Sequence, residues 1–339
     1  MTVRTTVAVV VALSTCGALA APGRHVIGQI PIAGDYGWDY ATADTEGRRL
    51  YVGHVKEIAV VDLDTGAVVG RVAGGTNMHG VAIAQPFGRG FISQTNPESG
   101  SVVIFDLKTL ARIGEVTVGK DPNLVLFDRK TGRVFTADRG DARVSAIDAR
   151  TGRVVGAVGD LGGRTEHGAS DEKGHLFLNL QDKGLLLRID ARALKVLDRW
   201  PVAPCGQPSA MDMDKEHQRV FIGCRSGVFA AVDGDTGRVI TTLPIGPGVD
   251  ALEFDARTRL IYVSSGGEGG SLSVFRQDSP DHYSLVEKVS TEAGARTLAL
   301  DHRTGRVYLP VGQVAQVAGG AGGRGAMVPG SFHLLVIGG

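Results

Sequence analysis

The sequence predicts an all-β protein and, within that class, a seven-bladed β-propeller with four antiparallel strands in each blade. The first observation is a repeat of about 42 residues, in which an apolar stretch ends in Asp and a turn follows. These aspartates are spaced 44, 42, 42 and 43 residues apart, at Asp62, Asp106, Asp148, Asp190 and Asp233. The second observation is an apolar strand core that occurs seven times, beginning at Leu50, Phe91, Val134, Leu176, Val220, Ile261 and Val307. The third is a content of 49 glycines without sustained helical periodicity, which is typical of short strands and many turns.

Each repeat contains room for four short strands and no helix. In the third copy the predicted strands are Leu124–Phe127, Arg133–Ala137, Arg143–Ile147 and Arg153–Val158. The pattern D-x-x-T-G closes the last hairpin in three copies, at Asp62–Gly66, Asp148–Gly152 and Asp233–Gly237. There the carboxylate can accept hydrogen bonds from its own backbone, and Gly can adopt the left-handed conformation. Four-stranded antiparallel units in a regular array indicate propeller blades.

The two ends of the sequence predict how the ring closes. The seventh copy offers strands at Thr297–Leu300, Val307–Leu309 and Phe332–Ile337, and it lacks a fourth. His25–Ile32 reads as a strand without a hairpin partner, and pairing it with the last copy removes two exposed sheet edges. We therefore expect one domain over residues 21–339, monomeric, with repeats that start near 38, 78, 122, 165, 208, 249 and 295.

The first twenty residues have the features of a secretory signal peptide. Arg4 precedes an apolar run at Val7–Leu13, and Ala18-Leu19-Ala20 matches an A-x-A cleavage site. The run is too short to span a bilayer. Cys16 leaves a lipoprotein signal as the alternative, which the preceding Thr matches poorly. We expect a periplasmic or secreted protein, cleaved after Ala20.

Charge argues against nucleic acid as a partner. The chain carries 36 basic and 36 acidic residues, and no basic stripe accompanies exposed aromatic side chains.

Several segments resemble the YVTN-type, YncE-like β-propellers of bacterial periplasms. They are Gly47-Arg48-Arg49-Leu50-Tyr51-Val52, Ala203-Pro204-Cys205, Val220-Phe221-Ile222-Gly223-Cys224-Arg225 and Ala295-Arg296-Thr297. The resemblance covers nearly all of the chain after the signal peptide. It implies a seven-bladed propeller and export, and it implies no particular activity, because one fold hosts many functions.

Propeller geometry predicts which side chains meet at the axis. The inner strand of each blade begins on one face of the disc, called here the mouth face, and the loop between the second and third strands opens on that face. Seven polar residues begin the inner strands: Asp39, His79, Asn123, Glu166, Ser209, Asp250 and Arg296. Polar residues are also expected at these seven positions if solvent simply fills the channel entrance. Their polarity alone therefore does not indicate a binding site.

The identities of these residues suggest more specific chemistry. Asp39, His79, Glu166 and Asp250 are ligand types that a divalent cation accepts, and they are also candidates for acid–base work. Arg296 would then hold an anionic group. Four more side chains on this face could wall a pocket, although each taken alone is better explained by packing: Tyr36, Trp38, His54 and His167.

Two further features lie near the mouth face. Residues 313–330 form a Gly- and Ala-rich insertion in the seventh repeat, read either as a flap over the channel or as a structureless loop. Cys205 and Cys224 flank the first two strands of the fifth repeat, and we expect a disulfide between them in an oxidising compartment. A metal-binding or catalytic thiol pair is the alternative.

These observations lead to three functional hypotheses. The first is an exported protein that binds a small ligand at the mouth through Asp39, His79, Asn123, Glu166, Asp250, Arg296, Trp38 and Tyr36, or a divalent metal ion through His79, Asp39, Glu166 and Asp250. The second is a metal-assisted, lactonase-like hydrolase or lyase that uses the same ring, with no catalytic residue assigned. The third is an interaction scaffold for a protein partner.

Overall fold

The computed structural model describes residues 23–34, 37–95, 99–315 and 327–339. Short strands joined by tight turns make up almost all of these ranges, with 3₁₀ turns at Gln85–Phe87 and Arg139–Asp141. The strands in chain order are β1 His25–Pro31, β2 Ala41–Asp44, β3 Arg49–Asp62, β4 Val68–Ala84, β5 Arg89–Thr95, β6 Gly100–Asp106, β7 Arg112–Val118, β8 Pro122–Asp128, β9 Arg133–Asp138, β10 Arg143–Asp148, β11 Arg153–Val158, β12 Thr165–Ser170, β13 His175–Leu180, β14 Leu185–Asp190, β15 Lys195–Pro201, β16 Pro208–Asp214, β17 Arg219–Cys224, β18 Val228–Asp233, β19 Val239–Pro244, β20 Val249–Asp255, β21 Leu260–Ser265, β22 Ser271–Ser279, β23 His282–Ser290, β24 Ala299–Asp301, β25 Arg306–Val311 and β26 His333–Gly338.

The strands form antiparallel sheets arranged around one axis. Four sheets are meanders of consecutive strands: β8–β11, β12–β15, β16–β19 and β20–β23. The innermost strands contact one another in a closed circle, in the order β2, β4, β8, β12, β16, β20, β24 and back to β2. This closed arrangement confirms the predicted propeller.

The prediction of seven separate four-stranded sheets was wrong, because the described strands form six sheets. Five have four strands, and β2–β7 form a single sheet of six. The reason is that two strands are long and change partners midway. β3 pairs with β2 through Arg49–Val52 and with β4 from Val55 to Val61. β4 then continues to Ala84 and pairs with β5 over its second half. The first two repeats are therefore hydrogen-bonded into one sheet.

The N-terminal strand closes the ring, as the sequence predicts. β1 pairs antiparallel with β26 from His25 opposite Gly338 to Pro31 opposite His333. The resulting sheet has the order β1-β26-β25-β24, with the N-terminal strand outermost. The N–H of Ile32 extends the ladder by donating to the carbonyl of Phe332 at 3.0 Å. Closure removes an exposed strand edge from each end of the chain.

The aspartate turns also have the predicted geometry. Oδ1 of Asp106 accepts hydrogen bonds of 3.0 and 2.8 Å from the N–H groups of Lys108 and Thr109, and one of 2.9 Å from the Thr109 hydroxyl. The hydrogen bonds from Thr109 lower the pKa of this carboxyl. Four residues after each aspartate the chain enters the left-handed region, as at Gly152 with φ 72° and Leu110 with φ 62°. The turn is thus specified by its own residues.

Apolar side chains between neighbouring sheets form the core. The clearest example lies between β16–β19 and β20–β23, where Phe229 stacks on Phe275 with ring centroids 4.9 Å apart. Phe221 meets Phe254 edge-on at 5.1 Å, and all four rings are buried. Such aromatic pairs contribute beyond the burial of their area.

The predicted disulfide between Cys205 and Cys224 is present. Their Cα atoms are 5.4 Å apart, and both residues are buried. The bond ties the segment before β16 to the end of β17, on the mouth face. Within the described ranges, no helix is long and apolar enough to cross a membrane.

On the face opposite the mouth, an ion pair joins the first sheet to the last. Arg48 donates two hydrogen bonds, of 2.7 and 2.8 Å, to the fully buried carboxylate of Asp301. Its Nη2 also donates to Oδ1 of Asp64 at 3.0 Å. Burial alone would raise the pKa of Asp301, but the hydrogen bonds from Arg48 and Thr304 outweigh it and lower the pKa to about 2.

We expect Arg48→Ala to lower the free energy of unfolding by about 3 kcal/mol, because it leaves the buried Asp301 carboxylate without its partner. The lowered pKa of Asp301 stabilises the fold above its unfolded-state value, and this stabilisation is lost as the pH falls towards 2. The variant should therefore lose less stability than the wild type between pH 4 and pH 2. Chemical denaturation across this range measures both effects.

Arg303→Ala is the matched control, since Arg303 pairs with Asp64 at the exposed surface and should cost less than about 1 kcal/mol. Equal losses in the two variants would show that the buried pair does not join the sheets.

Candidate functional site

The mouth face brings together most of the side chains that the sequence predicts for it. His79, in the second half of β4, places Nδ1 2.6 Å from Oδ2 of Asp39. Oδ1 of Asp39 lies 3.7 Å from Nη2 of Arg296, whose Nε donates to Asp250 at 3.1 Å. Arg225 donates to the other oxygen of Asp250 at 3.0 Å. Burial would raise the pKa of Asp39, but the hydrogen bond from His79 and the charge of Arg296 outweigh it, so the pKa is lowered.

A second group of side chains continues around the axis. Asn123 donates to the phenol oxygen of Tyr40 at 3.1 Å and lies 3.5 Å from Oε1 of Glu166. Nη1 of Arg139 lies 3.9 Å from Oε2 of Glu166. The same guanidinium donates two hydrogen bonds, of 2.9 and 3.0 Å, to Asp121. Asn123, Tyr40 and Glu166 are all buried.

The remaining predicted residues have different surroundings. Ser209 is buried and accepts a hydrogen bond of 2.7 Å from Gln181, apart from the charged network. Trp38 is buried against Phe332 and lies under the guanidinium of Arg296, 5.5 Å from ring centroid to Cζ. Its indole therefore packs in the core and also supports one arginine of the mouth.

The histidines expected to wall the pocket do not reach its opening. His54 is fully buried and stacks on Phe332 at 4.4 Å, so it belongs to the core. His167 meets Tyr40 edge-on and lines the channel beneath the mouth. Tyr36 and residues 316–326 of the insertion lie outside the described residues. The insertion's described ends are joined by a bridge between Val314 and Met327.

Three arginines of the mouth were not predicted. Arg139 and Arg225 directly follow β9 and β17, the second strands of their repeats, and Arg164 directly precedes β12. Thr95, at the end of β5, links the two groups, because its hydroxyl lies 3.2 Å from both Nε2 of His79 and Oδ1 of Asp121. The sequence could have revealed Arg139 and Arg225, since the loop after each second strand opens on the mouth face.

The arrangement is unlike a metal centre. Among the residues that the structure describes, no group of three or more His, Cys, Asp or Glu side chains is placed to hold a metal ion. Each carboxylate of the ring instead faces a cationic partner, as Asp250 does with Arg225 and Arg296. A cation would have to displace these partners. The structure therefore gives no support to the metal site predicted at Asp39, His79, Glu166 and Asp250.

Glu166 is the least satisfied group of the mouth. Its side chain is 2% exposed, and Oε2 has no hydrogen-bond partner among the described residues. The nearest cations to this oxygen are Arg139 and Arg164, at 3.9 and 3.8 Å, beyond ordinary hydrogen-bond length. Burial raises the pKa of Glu166 from 4.5 to about 7, and the charge of Asp250 adds to this against the opposing arginines. The carboxyl can therefore change its charge near neutral pH.

A cavity of about 470 Å³ occupies the axial channel behind the mouth. Tyr40 and His167 line it near the mouth, while Lys215, Glu253 and His302 line it towards the opposite face. Burial lowers the pKa of His167 to about 4 and raises that of Glu253 well above its usual value. Both shifts favour the neutral forms of these groups.

Comparison with known proteins identifies the fold. No protein-family model and no curated protein match the sequence. Among solved structures, U3-55K has a TM-score of 0.76 at 10% identity, with 92% of this chain and 99% of that chain covered. The WD40 repeats of RRP9 also reach 0.76, at 9% identity, covering 92% of this chain and 98% of that one. A chain of the Mitotic Checkpoint Complex reaches 0.71 at 12% identity, covering 88% and 94%. At this level of identity the likeness defines a β-propeller and nothing narrower.

We expect the stability of the protein to fall as the pH rises through 7, because of Glu166. A folded-state pKa of about 7 means that, between pH 4.5 and 7, the folded protein holds a proton on Glu166 that the unfolded chain has released. The stabilisation is complete below the unfolded-state pKa and is lost above the folded-state one. Glu166→Gln should remove this dependence and be more stable relative to the wild type at pH 8 than at pH 4.5, by about 3 kcal/mol. Urea denaturation from pH 4.5 to pH 8 measures the difference.

Glu172→Gln on the opposite face is the control, and its pH profile should match that of the wild type. Parallel profiles for the wild type and Glu166→Gln would show that the Glu166 carboxyl titrates as it does in an unfolded chain.

Proposed function

We propose that this chain is an exported β-propeller that binds a partner protein on its mouth face. The observation that carries the proposal is the gathering of four arginines around one end of the axis: Arg139, Arg164, Arg225 and Arg296. Arginine is enriched at the centres of protein interfaces because its planar guanidinium forms paired hydrogen bonds and stacks on flat groups.

Most of these arginines are held in place before any partner arrives. Asp121 fixes Arg139 through two hydrogen bonds, and Asp250 lies between Arg225 and Arg296. Side chains already fixed lose less conformational entropy on binding. Arg225 remains 39% exposed and Arg164 50% exposed, so donors remain available to a partner.

The structural neighbours favour an interaction scaffold over the other hypotheses. One of them belongs to the Mitotic Checkpoint Complex, which is an assembly of proteins, and another consists of WD40 repeats. Metal binding and metal-assisted hydrolysis both required carboxylates free to meet a cation, whereas the ring carboxylates face arginine or histidine. The resemblance to YncE-like propellers stays a proposal and is compatible with this function.

Photo-cross-linking tests the proposed docking face. A photoreactive residue at position 183 on the mouth face should form adducts with a partner protein in cells, whereas one at position 129 on the opposite face should not. Lys183 follows β13, and Arg129 follows β8 at the other end of the inner strand. Arg225→Glu should reduce the yield of the position-183 adduct at least tenfold, because it reverses a charge at the centre of the face.

Mass spectrometry of the adducts identifies the partner and the face. Adducts only at position 129, or a position-183 adduct unaffected by both Arg225→Glu and raised salt, would contradict docking through the arginines. Circular dichroism of Arg225→Glu checks that the fold is retained.

Export is the second part of the proposal, and the disulfide supports it. A bond between Cys205 and Cys224 persists in oxidising compartments and is rare in the cytosol. The predicted signal peptide and the alternative lipidation site at Cys16 lie outside the described residues.

We expect the mature chain, isolated from the organism that makes it, to begin at Ala21 and to be found in the periplasmic or secreted fraction. N-terminal sequencing and thiol labelling of each cell fraction test this, with no free thiol at Cys205 or Cys224. A chain that begins at Met1 in the cytosol with both thiols reduced would refute export, and an acylated Cys16 would replace cleavage after Ala20 with a lipoprotein.

A further inference from the structure

A wide-open surface cavity of about 470 Å³ lies on the mouth face, and its lining includes Arg139 and Arg164, the two arginines nearest to Oε2 of Glu166. Its walls come from the residue before β8 and from the connections β9–β10, β11–β12 and β13–β14, and much of the lining is glycine and alanine. The charged side chains at the cavity are three cations and two acids: Arg139, Arg164, Lys183, Asp121 and Asp182. We call this cavity the arginine cleft. Small residues leave room in it for another molecule's side chain.

The two acids of the arginine cleft are already engaged. Asp121 accepts two hydrogen bonds from Arg139, and Asp182 accepts one of 2.7 Å from the backbone N–H of Arg164. Lys183 lies 3.6 Å from Asp182. With three cations and two acids, the cleft carries a formal charge of +1 before Glu166 is counted.

The guanidinium of Arg164 is the available donor. Among the described residues its nearest acid is Glu166, with Nε 3.8 Å from Oε2, and the arginine side chain is 50% exposed. A guanidinium presents a fork of N–H groups that matches the two oxygens of a carboxylate. The N–H groups of the Arg164 guanidinium are therefore suited to bind an anion, and a planar anion such as a carboxylate best of all.

We infer that the arginine cleft binds a carboxylate group, with Arg164 as the residue that contacts it and Arg139 and Lys183 adding charge. This inference rests on the proposed docking face, for which it names the recognised chemistry: a Glu, Asp or C-terminal carboxylate of the partner. A free dicarboxylic acid has the same chemistry, and the experiments below separate the two sources.

Glu166 is a positioning residue for this site. When it loses its proton, it competes with an incoming carboxylate for Arg164 and brings the charge of the cleft to zero. The charged groups that face Glu166 are Arg139, Arg164, Arg225 and Asp250, and Asn123 is its neutral neighbour. Because its pKa is about 7, binding should be stronger at pH 6 than at pH 8.

NMR titration of the arginine Nε–H signals tests the site with N-acetyl-glutamate α-amide, which carries one side-chain carboxylate, as the probe and N-acetyl-glutamine α-amide as its neutral control. The glutamate should shift the Arg164 signal and the glutamine should not. We expect Arg164→Ala to weaken binding at least tenfold, as measured on the backbone amides of residues 162–164, and Arg129→Ala on the opposite face to leave it unchanged.

The effect of pH separates a positioning role for Glu166 from a merely structural one. The dissociation constant of the wild type should rise about tenfold from pH 6 to pH 8, whereas that of Glu166→Gln should stay constant at the tighter value. Equal shifts with both probes, or unchanged binding in Arg164→Ala, would overturn the carboxylate site. A parallel pH response of Glu166→Gln and wild type would remove the role of Glu166.

These results are independent of the cross-linking outcome. Probe binding together with loss of the position-183 adduct in Arg164→Ala supports a partner carboxylate. Probe binding without any protein adduct supports a free dicarboxylic acid as the ligand and overturns the docking proposal alone. Adducts without probe binding overturn the cleft inference and leave docking intact.

Discussion

The hydrogen-bonded pairing of β1 with β26 is the constraint on which the rest of the structure depends. It joins residues more than 300 positions apart and converts a row of sheets into a ring. Only a closed ring places the starts of the inner strands on one face at a common axis. On the face opposite the mouth, the contact of Arg48 with Asp301 also joins the first sheet to the last. The chemistry of the mouth is therefore a consequence of closure, and it does not arise within any single repeat.

Convergence of polar groups at an axis creates an electrostatic problem, which the protein solves with arginine. Carboxylates brought close together in a buried setting repel one another and lose hydration. At Asp250 two guanidinium groups offset both effects, and at Asp39 a histidine and an arginine do so. Glu166 is the exception, because its cations stay beyond hydrogen-bond reach. The site proposed for recognition thus lies where this compensation is incomplete.

Local pattern was sufficient to predict much of this structure. The repeat, the aspartate turns, the closing strand, the Cys205–Cys224 bond and the meeting of Asp39, His79, Asp250 and Arg296 all follow from strand periodicity and propeller geometry. The six-stranded sheet could not be predicted, because whether β3 and β4 bend or continue depends on hydrogen bonds with strands elsewhere in the chain. The ion pairs of Arg139 and Arg225 depend on the directions of long side chains, which spacing alone does not determine. Residue type suggested pocket walls at Trp38 and His54, whereas in the structure both side chains also pack against Phe332.

The aspartate turns have a consequence for how such a chain assembles. Because each turn is specified within five consecutive residues, the outer hairpin of a repeat can form while the rest of the polypeptide is still a coil. Assembly would then proceed from many independent nuclei, and the terminal strand would dock last, against the greatest loop-closure entropy.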